Sequence, residues 1–320
     1  MLLRFVFAAV IAITAAMPGI TRAERIRISY SGLSGQNLPF WVTYESGVYK
    51  KHGFDAEMVL IASGLSNIQA LLANDLAFTY LGGAAPIQAI LQGGDVVILG
   101  TAYGFMPYGM VASKNIHSPA DLKGKRIAVS RVGGIEETAA RIALDKLGVG
   151  GRNVIFLQAG PDPVRIAAVE SGAAQATMLA PPGLFAATAR GLNMLADLGA
   201  LKIKFPTSVI AARRVYLTQQ RPVAKRYLAA ILDGLQLYHE NKNMAVQVLQ
   251  KYTKQQNPDV LSQTYDYFAK NTPLIPLTDP EAIQAALSTD KPATKKPDDF
   301  YDNSVLEELV REGAVTTTVK

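Results

Sequence analysis

Cysteine is absent from all 320 residues. That removes disulfide scaffolds, Cys-ligated zinc, iron–sulfur clusters, thiolate nucleophiles and a lipid-modified N-terminal Cys together. Histidine is nearly as scarce: His52, His117 and His239 stand far apart with no HExxH spacing, which argues against a His-rich metal site. No serine sits in a GxSxG elbow, and no set of Ser, His and Asp can be nominated from three scattered histidines. Runs of Lys and Arg interleaved with aromatics are missing as well. The formal charge of +6 is spread along the chain, so nucleic acid is not an expected partner. Only 18% of residues are charged against 49% hydrophobic, a balance that excludes intrinsic disorder. Little is left with which to run covalent or metal chemistry, and binding is favoured over catalysis.

The first 23 residues carry a targeting pattern. Arg4 gives a positive start, Phe5–Ala16 is an apolar run, Pro18-Gly19 breaks it, and Thr21 and Ala23 place small residues before a cleavage point. This predicts a secretory signal peptide at 1–23, its apolar run too short for a bilayer span. Removing it takes away two arginines and no acid, which lowers the charge to +4. No later stretch is apolar for long enough to span a membrane.

Strand and helix patterns then alternate. Strands are expected at Ile26–Ser31, Phe54–Ile61, Leu76–Leu81 and Val96–Thr101, with helices at Pro39–Lys51, Ile68–Ala73 and Ala84–Leu91 between them. A second set follows, with strands at Gly109–Ser113, Arg126–Ser130, Val154–Gln158 and Ala176–Leu179 and helices at Glu136–Leu147, Asp162–Ser171 and Leu184–Gly191. From about Arg221 onward only helices are expected. Strands alternating with helices imply an α/β protein of two mostly parallel sheets with helices on their faces and a helical C-terminal tail. Ala70–Pro86 and Ala168–Pro182 share the order helix end, turn, strand, Pro-containing helix start, as two units built alike would.

In an open parallel sheet, ligands bind beyond the carboxyl ends of the strands, where helix starts present unpaired N–H groups. Three starts rich in small residues qualify: Ser63-Gly64-Leu65-Ser66, Gly82-Gly83-Ala84, and Arg131 with Gly133-Gly134-Ile135. Each glycine is equally needed to turn the chain. None of the three is a P-loop and none fits GxGxxG, so nucleotide binding lacks support. Phe40, Trp41 and Tyr103 follow strands at the same edge and are expected to give the site its apolar cover, with core packing under the first helix as the other reading of Trp41. Tyr103–Gly109, with its Gly and Pro, suits a hinge. No cofactor is expected.

Leu38-Pro39-Phe40-Trp41, the stretch Glu45–Phe54 (ESGVYKKHGF), the stretch Ser118–Val129 (SPADLKGKRIAV) and Arg165–Gly172 (RIAAVESG) together resemble ABC-transporter substrate-binding proteins of the nitrate/sulfonate/taurine type, over about Glu24–Val315. The family is also related to thiamine-pyrimidine-precursor binding proteins. The chain departs from the family pattern at Ala77 and Gln175, where Asp is usual. The resemblance implies a type II periplasmic binding protein with residues 24–108 and 207–320 in one lobe, 109–206 in the other, and two hinge crossings between them. It implies a periplasmic monomer without a lipid anchor that captures a small organic anion or polar aromatic solute and delivers it to a membrane permease. The helix starts above, the Leu38–Trp41 segment and Pro181 would line its cleft. Two alternatives stay open: a sensory protein presenting its solute to a membrane receptor, and a pyrimidine-synthase-like enzyme, although the latter's Cys cluster has no counterpart here.

Overall fold

A computed structural model describes residues 23–287 and 295–314. The expected signal peptide, apart from Ala23, lies outside the described residues. Ten strands are described: β1 (Glu24–Tyr30), β2 (Phe54–Leu60), β3 (Phe78–Leu81), β4 (Val97–Phe105), β5 (Gly109–Ala112), β6 (Arg126–Val129), β7 (Ile155–Gln158), β8 (Ala176–Leu179), β9 (Asn193–Asp197) and β10 (Lys204–Ala212). They form two five-stranded sheets, in the orders β2-β1-β3-β10-β4 and β7-β6-β8-β5-β9. In each sheet four strands run together, and the strand in fourth place runs against them.

The helices between them are α1 (Leu38–Glu45), α2 (Val48–Lys51), α3 (Gly64–Leu72), α4 (Ala84–Leu91), α5 (Ile135–Lys146), α6 (Asp162–Glu170) and α7 (Gly183–Ala189). The tail is α8 (Val215–Thr218), α9 (Arg221–Glu240), α10 (Lys242–Thr253), α11 (Pro258–Ala269), α12 (Pro280–Leu287) and α13 (Ser304–Arg311). The expected single helix over Pro39–Lys51 is two helices. Gly47 at φ +73° cannot continue the first, and a side chain there would be strained. Helix α3 begins at Gly64 rather than Ile68, because Ser63 caps it: its Oγ accepts from the Ser66 amide at 3.3 Å.

The fold is two-lobed, and the antiparallel strand of each sheet is the one that has just crossed from the other. The chain leaves β4, passes Met106–Tyr108 and enters β5; it returns from β9 into β10. The two crossings are tied side by side, Met106 N–H to Ile203 O and Leu198 N–H to Tyr108 O, both 2.9 Å. Strands β9 and β10 had no counterpart in the expected pattern, and Tyr103–Phe105, expected in a hinge, extends β4 as a partner of β10. Ala70–Pro86 and Ala168–Pro182 carry β3 and β8, the middle strands of their sheets, so the two segments hold equivalent places.

One apolar core packs α1, α9 and α10 against the first sheet, around Trp41, Tyr80, Tyr227 and Leu235. A second runs through both lobes, joining Ile87, Phe205 and Val209 to Met110, Ala139 and Met178. No helix among the described residues is long and apolar enough to cross a membrane.

Candidate ligand-binding cleft

The carboxyl ends of the parallel strands of both sheets face each other. The loop after β1 reaches the loop after β8, where Gly35 N–H donates to Pro181 O at 3.1 Å. The start of α4 after β3 meets the start of α5 after β6. There Ala84, Ile87 and Phe205, with Gly133, Gly134, Ile135 and Thr138, border a cavity of about 180 Å³. The loops after β1 and β6 therefore each meet the loop after the middle strand of the other sheet, β8 and β3 respectively. Two of the three helix starts singled out in the sequence come together here.

The expected backbone donors fare differently. Gly83 N–H donates to Pro206 O at 2.8 Å, Gly134 N–H to Arg131 O at 3.1 Å, Gly133 N–H to Glu137 Oε2 at 2.8 Å, and Ser66 N–H to Ser63 Oγ. These four amides are already engaged inside the protein. Gly83 serves close packing instead: a Cβ would lie 2.4 Å from Pro206 O. Gly82 sits partly buried beside it. Gly64 seats α3 against α4, since a Cβ there would lie 2.9 Å from that of Ala85. Leu65 and Arg131 are exposed.

Leu38, Pro39, Phe40 and Trp41 are all buried in α1. Trp41 stacks on Tyr252 at 4.6 Å and 6° and meets Tyr30 edge-on at 5.7 Å, with no surface left to offer. The expectation that it covers a ligand is corrected: burial of a large ring under the first helix explains it. Tyr103 is 1% exposed, edge-on to Phe268 at 5.1 Å. Burial pushes its hydroxyl well up, with Asn271 favouring and Asp197 opposing ionisation. Pro181 is buried at the lobe junction, its carbonyl engaged by Gly35.

Sequence reasoning missed a charged cluster on the second lobe. The Arg165 side chain, 2% exposed, pairs with Asp162 one helical turn back and with Glu136 Oε1 at 3.6 Å. Glu136 also accepts from Ser130 Oγ at 2.7 Å. Burial raises Asp162; Arg165 opposes that rise and the Glu136 charge adds to it. Tyr108 at the crossing is pushed well up by burial and by Glu136. The available signal was an arginine on the apolar face of a helix that also carries Ile166 and Val169, three residues after an acid at the helix start. Glu137 next to it is structural. Burial would raise it, but the Gly133 amide and Arg141 outweigh that and hold it below the usual carboxylate value.

Also unforeseen was a bridge from the tail. Tyr267 of α11 donates to Asp197 Oδ1 at 3.3 Å and meets Phe185 of α7 edge-on at 5.8 Å. Among the described residues no group of three or more His, Asp and Glu is placed to hold a metal ion.

Two similar lobes, a double crossing and facing strand ends define a two-lobed periplasmic binding protein fold. The chain belongs to the NMT1/THI5-like family, which matches residues 35–245. A protein of Brucella abortus named as a binding protein is 26% identical over 249 residues, covering 74% of this chain and 75% of its own. A protein of Bordetella bronchiseptica RB50 superposes with a TM-score of 0.77 at 17% identity, over 91% of this chain and 98% of that one. The alkanesulfonate-binding protein SsuA of Xanthomonas axonopodis pv. citri, bound to MOPS, gives a TM-score of 0.68 at 20% identity, over 83% and 90%.

Proposed function

We propose that this protein is the solute-binding component of an ABC importer, capturing a small polar organic solute between its lobes and handing it to a membrane permease. The observation that carries the reading is the facing of two helix starts, Ala84 of α4 and Gly134–Ile135 of α5, across one cavity at the carboxyl ends of both sheets. Ligands in open α/β sheets collect at such ends. Closure of two lobes about paired crossings then sequesters the solute. The signal peptide expected at 1–23 supports a periplasmic site of action, and the Brucella relative, named as a binding protein, supports binding over turnover.

Thermal unfolding of the protein lacking residues 1–23 against sulfonates, carboxylates, nitrate, amines and pyrimidines tests this. A solute at 100 times its dissociation constant stabilises by about 2.7 kcal/mol, a rise of several degrees at this size. One chemical class raising the midpoint is the expected result. A flat response from protein that mass spectrometry shows to be empty, or conversion of any solute to product, overturns the reading.

A further inference from the structure

Ionisable side chains are distributed unevenly across the cleft. The loops of the first lobe, residues 31–37, 61–66, 82–86 and 105–107, contain none. The facing edge of the second lobe carries Glu136, Asp162 and Arg165 as one cluster, with Asp197 beyond it. Arg131, the other cation on these loops, is exposed. Two carboxylates around one guanidinium leave the cluster with an acid in excess.

The cluster touches the lobe junction. Asp162 Oδ2 lies where a Cβ on Gly183 would be, and Gly183 follows the Pro181 carbonyl that accepts from Gly35. On the first-lobe side of that same hydrogen bond, Ser34 Oγ and Gln36 Oε1 are buried without partners. Arg165 itself is buried, and its Nε and Nη1 make no hydrogen bond. Buried polar atoms are nearly always satisfied, so these atoms call for a partner from outside the chain, water or solute. Glu136 and Asp162 keep 17% and 40% of their side chains exposed, enough to meet it.

The amides at Gly83, Gly133 and Gly134 already donate internally, and the two carboxylates repel an oxyanion beside them. Resting on the solute-binding reading above, we propose that the solute carries a protonated nitrogen, an amine or amidinium. Its N–H groups donate to Glu136 and Asp162, while an acceptor elsewhere on the solute takes the Nε–H and Nη1–H groups of Arg165 that make no hydrogen bond within the chain. An oxyanion lacking that nitrogen is rejected.

Matched pairs test this by titration calorimetry on the protein lacking residues 1–23: alanine against propionate, taurine against ethanesulfonate, and benzamidine against benzoate, with nitrate alone. The expected result is binding of at least one nitrogen-bearing member and at least tenfold weaker binding of its partner. Affinity for the nitrogen-bearing member falls about tenfold or more in Glu136→Gln and Asp162→Asn, the scale of losing a charge-assisted hydrogen bond. If either variant fails to fold, the matched pairs on the wild-type protein still decide. Equal or tighter binding of propionate, ethanesulfonate or nitrate overturns the proposal and leaves the solute-binding reading intact. Binding confined to neutral solutes of the wider panel does the same, whereas a wholly silent panel with an empty cleft overturns both.

Discussion

Trp41 is the single tryptophan of the chain, and every face of its ring is covered by the first lobe's own core. Its stack on Tyr252 and edge contact with Tyr30 are worth about 0.5–1.5 kcal/mol each beyond the area they bury. Trp41→Phe should therefore lower unfolding stability by about 1–3 kcal/mol, within the range for core shape changes, and leave solute affinity within a factor of two. Chemical denaturation and solute titration of the same variant check both halves. Lost affinity at unchanged stability would return Trp41 to the cleft. The sequence shows an aromatic after the first strand but not which way its helix turns it; that depends on α9 and α10, some 200 residues further on, whose helices pack over α1.

At the scale of elements, the helix starts are held by side chains whose work is hidden in a linear reading. Asn67, just ahead of the helix expected at Ile68–Ala73, lies fully buried in the first turn of α3. Its Oδ1 accepts from Ser29 of β1 at 2.6 Å and Thr79 of β3 at 3.0 Å, and its Nδ2 donates to Ile61 O at 2.6 Å and Ser63 O at 2.8 Å. One amide thus fastens the β2–α3 loop to two strands. Asn67→Ala strands several buried partners and should cost about 2–4 kcal/mol, since each group left unpaired costs about 1–3 kcal/mol. Amide exchange across residues 61–67 should accelerate in parallel, and a loss below about 0.5 kcal/mol would mean the network is not what holds the loop. Other elements were legible because their signals are local: α4 and β8 fall on the residues the pattern indicates. β10 was not, because Pro206 reads as a break and its run of buried residues shows no alternation. Only pairing with β3 and β4, more than 90 residues earlier in sequence, makes Lys204–Ala212 a strand.

For the molecule as a whole, function depends on how much the protein itself favours closure before a solute arrives. Helix α11 joins the lobes. Phe268 and Thr264 press on Gly35, where a Cβ would lie 2.6 Å from either side chain, and Tyr267 reaches across to Asp197 and Phe185. Its hydroxyl fits over Gly199, where a Cβ would stand 1.7 Å away. Burial and then the Asp197 charge push the Tyr267 hydroxyl well up, so it stays protonated and donates. A solute's apparent affinity scales with the fraction of protein able to adopt the binding-competent state. Tyr267→Phe removes one hydrogen bond and keeps the ring, so solute binding should weaken about two- to tenfold, matching a net bond of about 0.5–1.5 kcal/mol. Gly199→Ala displaces the whole ring and should weaken binding further. Small-angle scattering of the solute-free variants should show a larger radius of gyration than the wild type. Both changes lie outside the charged cluster, so the preference among solutes should stay as it was while affinity for each falls together. If preference shifts instead, Tyr267 touches the solute. If neither affinity nor radius changes, the lobes close on the solute alone, and the bridge from α11 merely follows them.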